Sequence, residues 1–140
     1  MNIAFFVRPK SMVTYLYEDS SLLRGLRCLR ESGRSVLPVL TREGKYLGTV
    51  SEGDFLWYLA DRPSRGEALQ AGKVRDLARA DRMRAVPVTT SVEELLQCAA
   101  EQSFVPVVDD VGSFIGIVRQ GEMLRHFVGR RAERSARQMG

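Results

Sequence analysis

The sequence predicts an α+β fold in which two β-α-β-β-α half-domains pack face to face with pseudo-two-fold symmetry. Three observations carry this expectation. The stretch from Val36 to Phe55 reappears as Phe104 to Met123 at an offset of 68 residues, pairing Pro38, Gly44, Gly48 and Gly53 with Pro106, Gly112, Gly116 and Gly121. Upstream the offset becomes 70, pairing Ser21 with Ser91, Leu26 with Leu96 and Cys28 with Cys98, so two extra residues sit near Gly33 in the first copy. At 140 residues and 44% hydrophobic, the chain is long enough for one core built by two halves, whereas two copies are too few for a solenoid.

Each copy opens with a β-prone segment, Val13 to Tyr17 and Ala85 to Val88, followed by Ser, Thr and Asp residues able to cap a helix. Helices follow over Ser21 to Ser32 and Ser91 to Gln102. Leu22, Leu26 and Leu29 in one, and Val92, Leu95, Leu96 and Ala99 in the other, form an apolar stripe at helical spacing. Two strands come next, Val36 to Leu40 with Tyr46 to Val50, and Phe104 to Val108 with Phe114 to Val118. Their turns carry Gly44 and Gly112, residues suited to positions with positive φ. A second helix starts after Ser51 or Arg119, carrying Phe55, Leu56 and Leu59 or Met123, Leu124 and Phe127. The chain therefore divides into a first repeat with an N-terminal lead-in (1–62), a polar linker with one short helix around Val74 to Leu77 (63–82), a second repeat (83–128) and a basic tail (129–140).

Composition narrows the function. No run of about 18 apolar residues could span a bilayer, and the opening Met1 to Val7 is too short and too weakly charged for a signal peptide, so a cytoplasmic protein without a membrane partner is expected. Cys28 and Cys98 occupy equivalent helix positions and read as small apolar packing residues. The net charge of +4 comes from a diffuse arginine excess; only Arg130, Arg131, Arg134 and Arg137 cluster, in a stretch without an apolar face, which reads as a solvated tail and makes nucleic acid an unfavoured partner. The one histidine, His126, aligns with Tyr58 on a helix, and no nucleophile elbow, Walker loop or metal-ligand set is present. A binding protein without cofactor is expected rather than an enzyme. Trp57 and Tyr58 follow Phe55 and Leu56, too many large residues for one buried stripe, so part of this helix is expected at an interface.

The most informative departure from the repeat lies where the last strand enters the last helix. Ser51-Glu52-Gly53-Asp54 in the first copy becomes Arg119-Gln120-Gly121-Glu122 in the second. A helix N-terminus presents unpaired N–H groups that suit a phosphate; a hydroxyl there can bond a phosphate oxygen, and a carboxylate three residues on can accept both hydroxyls of a ribose. Ser-x-x-Asp at a helix start is equally the pattern of a capping box, and the four residues alone leave both roles open.

The duplicated pattern, Gly33-Arg34-Ser35-Val36-Leu37-Pro38-Val39 followed by Gly44 to Asp54, and again Ser103 to Val108 followed by Gly112 to Glu122, resembles the CBS (cystathionine β-synthase) domain. The likeness runs from Ser11 to Val128, so the chain resembles a stand-alone CBS pair. The resemblance implies a regulatory module that senses an adenosine-containing ligand (AMP, ADP, ATP or a cyclic dinucleotide) in two clefts between the repeats, a homodimer, and a regulated protein downstream. Carried over to this chain, the first cleft would place Ser51 on phosphate, Asp54 on ribose, and Ser103 with the backbone around Gln102 beside the base, with Met83 and Arg84 closing over adenine. The second would use Arg119 and Glu122 facing Ser35, Val13 and Thr14. There the family pattern is broken at both matching positions, and that cleft is expected to be weaker, altered or empty, although Arg119 could clamp a phosphate. A ligand-free interaction or dimerisation module, with Ser51 and Asp54 acting only as a cap, is the competing expectation.

Overall fold

The computed structural model describes residues 2–139, with side chains described as far as Gly129. Its elements run β1 (Arg8–Pro9), β2 (Leu16–Tyr17), α1 (Leu22–Ser32), β3 (Val36–Leu40), β4 (Tyr46–Ser51), α2 (Glu52–Ala60), α3 (Arg65–Ala71), β5 (Val86–Pro87), α4 (Val92–Glu101), β6 (Phe104–Val108), β7 (Phe114–Arg119) and α5 (Gln120–Met139). Short 3-10 turns cover Ile3–Phe6, Lys10–Met12 and Val74–Asp76.

The repeats fold alike because their local signals are alike. Ser21 and Ser91 cap α1 and α4, their hydroxyls accepting from the amides of Arg24 and Glu94 at 3.1 Å each. Gly33 ends α1 in the left-handed region at φ 69°, and Gly44 and Gly112 turn the two hairpins at φ 87° and 84°, which side chains rarely tolerate. The two extra residues of the first copy are thereby accounted for: α1 has 11 residues against 10 in α4, and the loop to the next strand is one residue longer.

In each repeat a parallel pair and an antiparallel hairpin share one strand, giving the orders β2-β3-β4 and β5-β6-β7. Leu22 and Leu29 of α1 pack with Leu37, Val39, Val50 and Phe55 behind the first sheet; Leu95 and Ala99 of α4 pack with Val105, Val107, Val118 and Met123 behind the second. Each fully buried leucine contributes about 1.5–3 kcal/mol relative to exposure. A third cluster, Val13, Leu40, Met83, Phe104, Phe114 and Ile117, draws on both repeats and joins the sheets. The hairpin tips also meet: the Phe114 amide donates to Gly44 O at 2.9 Å and the Tyr46 amide to Gly112 O at 3.3 Å.

Several expectations are corrected. The strands expected over Val13 to Tyr17 and Ala85 to Val88 shrink to Leu16–Tyr17 and Val86–Pro87, because the neighbouring strand offers pairing only at Val39–Leu40 and Val107–Val108, and Pro87 has no N–H to extend the ladder. The linker holds α3 as well as the expected turn at Val74. It packs on α1, with the Leu22 amide donating to Gly72 O at 3.1 Å, so the linker is part of the first repeat's body. The lead-in does the opposite: β1 pairs antiparallel with β7, Arg8 opposite Ile117, adding a fourth strand to the second sheet. Arg79 of the linker bridges Thr49 of β4 at the matching place. Both crossings pass over a glycine. A Cβ at Gly48 would lie 2.5 Å from Arg79 O, and one at Gly116 would overlap Arg8 O. α5 runs on to Met139 rather than ending before a tail; the arginine cluster expected there, Arg130 to Arg137, lies outside the described side chains. Among the described residues no helix is long and apolar enough to cross a membrane.

Candidate functional site

The two strand-to-helix junctions, β4 into α2 and β7 into α5, face the seam between the repeats and differ in chemistry. At the first, Ser51 Oγ accepts from the Asp54 amide at 3.2 Å and Asp54 Oδ2 accepts from the Ser51 amide at 2.8 Å, a complete capping box. Arg82, just before β5, adds a bidentate contact, Nη1 to Oδ2 at 2.9 Å and Nη2 to Oδ1 at 2.8 Å, with Arg79 Nε 3.8 Å from Oδ1. The Asp54 side chain is 11% exposed and that of Arg82 22%. Burial pushes the Asp54 carboxyl up, but the Arg82 hydrogen bonds and the Ser51 amide outweigh it and hold the carboxyl below its usual range. Both groups expected on phosphate and ribose are thus engaged within the chain.

The remaining residues assigned to the first cleft are engaged elsewhere in the chain. Met83 is not a lid over a base: its side chain, 7% exposed, belongs to the core joining the repeats, and its carbonyl accepts from the Tyr46 hydroxyl at 2.6 Å. Burial pushes that hydroxyl's pKa above its ordinary value. Gln102 is buried and staples the start of β5 to β6, its Oε1 accepting from the Arg84 amide at 3.0 Å and its Nε2 donating to Arg84 O and Phe104 O at 3.1 and 3.0 Å. Both donors of that amide and one acceptor position are thereby used within the chain. Arg84 points outward to Glu101 at 3.2 Å. Ser103, assigned to the first cleft, instead lines the second with Ser35, because its carbonyl accepts from the Gln120 amide at the head of α5.

The second junction is open. Two adjoining cavities lie there, one of about 320 Å³ lined by Arg34, Ser35, Ser103, Arg119, Glu122 and Arg125, the other of about 130 Å³ lined by Arg8, Met12, Thr14, Leu37, Pro38 and Ile117; Arg34, Val36, Phe104 and Arg119 border both. Of the residues assigned to this cleft, Thr14, Ser35, Arg119 and Glu122 are brought together, whereas Val13 is buried in the core between the repeats. Glu122 accepts from Arg8 Nη2 at 2.7 Å. Arg119 Nε is buried without a hydrogen-bond partner. Burial, then the like charges of Arg34 and Arg8, pull the Arg119 pKa down from its ordinary value.

Arg8, Arg34, Arg82 and Arg125 are residues the sequence reading missed. A signal for one existed: the offset of 70 sets Arg82 opposite Met12, a charge in one copy against a thioether in the other. The His126 ring is half-buried in an aromatic cluster, 5.1 Å from Phe5 and Phe6 and 5.5 Å from Phe127.

A family model described as CBS domain matches residues 7–61 and 74–129. An uncharacterized protein of Methanocaldococcus jannaschii is 26% identical over 142 residues, covering 81% of this chain and 84% of that protein. Among solved structures, the Listeria monocytogenes CbpB protein in complex with c-di-AMP aligns with a TM-score of 0.83 at 26% identity, over 94% of this chain and 97% of that one. Another CbpB complex with c-di-AMP shares the fold at a TM-score of 0.90 and 18% identity, over 98% and 91% of the two chains. A hypothetical conserved protein from Geobacillus kaustophilus does so at 0.83 and 24%, over 93% and 98%.

Proposed function

We propose that this chain, which belongs to the CBS domain family, is a regulatory module that senses an adenosine-containing nucleotide (AMP, ADP, ATP or a cyclic dinucleotide) in the cleft between its repeats. The observation that carries the reading is the pair of adjoining cavities at the β7–α5 junction, where Arg34 and Arg119 border both lobes, Arg125 the larger and Arg8 the smaller. Guanidinium groups around both lobes suit the phosphates of such a ligand, and Leu37 and Pro38 lie in the same wall beside them. The Listeria CbpB structure, similar along nearly its whole length and holding c-di-AMP, supports the same ligand class.

A ligand seated there touches both repeats, Thr14, Ser35 and Leu37 from the first and Arg119 from the second. It therefore favours whichever arrangement of the halves binds it better, and its signal is limited to that difference in affinity. Binding without a covalent step is sufficient for this role. Exposed Leu56 and Trp57 on α2 and Leu124 and Val128 on α5 support a homodimer as the unit that reports occupancy to a regulated protein.

The second reading is a ligand-free interaction module, favoured by the Ser51–Asp54 capping box and the Arg82 contact, which leave the first junction satisfied without any ligand. Thermal unfolding of the purified chain with AMP, ADP, ATP, c-di-AMP and S-adenosylmethionine separates the two. A ligand at 100 times its Kd adds about 2.7 kcal/mol, about 9 °C for a chain of this size. A rise with an adenine nucleotide is the expected result; no rise with any of them supports the interaction module.

A further inference from the structure

Building on the nucleotide reading, we propose that the ligand's seat is the second cleft, the one that departs from the repeat pattern, and that Arg34, Arg119 and Arg125 there bind a ligand carrying at least two phosphoryl groups. Four arginines border the two lobes against one carboxylate, Glu122, and Glu122 is already taken by Arg8. Among the described residues Arg34, Arg119 and Arg125 make no salt bridge. Arg119 stands in place of a hydroxyl and brings several donors where Ser51 brings one, and its buried Nε lacks an acceptor that a phosphate oxygen would supply. The head of α5, at Gln120, adds partial positive charge at the same place.

The asymmetry between the junctions points the same way. At the first, Arg82 occupies both oxygens of Asp54. Its counterpart at the offset of 70, Met12, is uncharged and 65% exposed, and the carboxylate of the second junction, Glu122, is held by Arg8 instead. A linear polyphosphate and a cyclic dinucleotide share the required chemistry, two phosphoryl groups within reach of planar guanidinium forks.

The test is calorimetric titration of the full chain with ATP, c-di-AMP, AMP and inorganic tripolyphosphate, in the wild type and in Arg34→Ala, Arg125→Ala, Arg119→Ser, Ser51→Ala and Asp54→Asn. Arg34 and Arg125 are exposed, so their variants keep the fold, as circular dichroism will verify. ATP or c-di-AMP is expected to bind more tightly than AMP. Each arginine variant is expected to weaken that binding by about 10- to 100-fold, while Ser51→Ala and Asp54→Asn leave it unchanged; whether ATP or c-di-AMP is preferred decides between the two phosphate sources. Binding lost in Ser51→Ala and Asp54→Asn but kept in the arginine variants overturns the seat and leaves the nucleotide reading standing. AMP binding as tightly as both larger ligands overturns the two-phosphoryl requirement. Arginine-dependent binding of tripolyphosphate without any nucleotide binding upholds the seat and overturns the nucleotide reading. No binding by any probe overturns both.

Discussion

Replacing Arg82 by methionine removes the guanidinium that closes the first junction while keeping most of its apolar stem. Asp54 then loses two charge-assisted hydrogen bonds of 2.8 and 2.9 Å at a site where its side chain is 11% exposed. Breaking a fully buried pair costs about 3–5 kcal/mol. Here the carboxylate keeps the Ser51 amide, Arg79 can swing in from 3.8 Å, and Arg82 is 22% exposed. A loss of about 2–3 kcal/mol follows, or about 7–10 °C in unfolding midpoint. The pH dependence has a definite sign. The Asp54 carboxyl lies below its usual range in the folded chain, so the stabilisation is complete above the unfolded-chain value of about 4 and is lost as pH falls through the folded one. Urea unfolding followed by circular dichroism should therefore show the gap between wild type and Arg82→Met at its widest at neutral pH and closing in acid. Adding Asp54→Asn to Arg82→Met should recover part of the loss, since no unpaired carboxylate remains. A loss below about 0.5 kcal/mol, the range of a surface ion pair, or a gap of equal size in acid, would refute the reasoning.

Three further outcomes follow from the same structure. Gly116→Ala should cost about 1–3 kcal/mol, because its Cβ overlaps Arg8 O and β1 must leave β7; hydrogen exchange should accelerate along that strand pair, and unchanged protection would contradict the crossing. Arg119→Met should raise the unfolding midpoint slightly, since a half-buried, solvent-screened charge flanked by Arg34 and Arg8 is removed; a fall would mean that Arg119 has a stabilising partner. For the proposed homodimer, Trp57→Glu places a charge on the exposed apolar face of α2 and should convert a wild-type dimer to a folded monomer by sedimentation, whereas a dimer kept in the variant would put the interface elsewhere, and a monomeric wild type would contradict the dimer itself.

Much of the fold was legible because its determinants are local. Helical spacing of Leu22, Leu26 and Leu29, serine caps at Ser21 and Ser91, and glycines at Gly44 and Gly112 each act within a few residues, and the duplication repeats them. Helix α3 was not legible. It has seven residues, buries Ala68 alone, and is held by α1 rather than by its own periodicity. Nor was the crossing of β1 onto the second sheet, which depends on the close approach of backbones at Gly116, far away in sequence.

The candidate site was half legible. The Ser51–Asp54 pattern left a cap and a ligand site both open, and the capping box forms. That Arg82 completes it, and that Arg8, Arg34 and Arg125 gather with Arg119, depends on contacts across the seam between the repeats. Ser103 was misplaced for the same reason, since register within β6 and β7, not distance along the chain, decides which cleft it borders.

The most direct test of nucleotide sensing is a calorimetric comparison of adenine and guanine members of one ligand class: ATP against GTP, and c-di-AMP against c-di-GMP. Saturable heat with an adenine member, much weaker with its guanine counterpart, is the result expected of a cleft that reads both base and phosphates. Equal heats for the two bases, or none with any of the four, would contradict it.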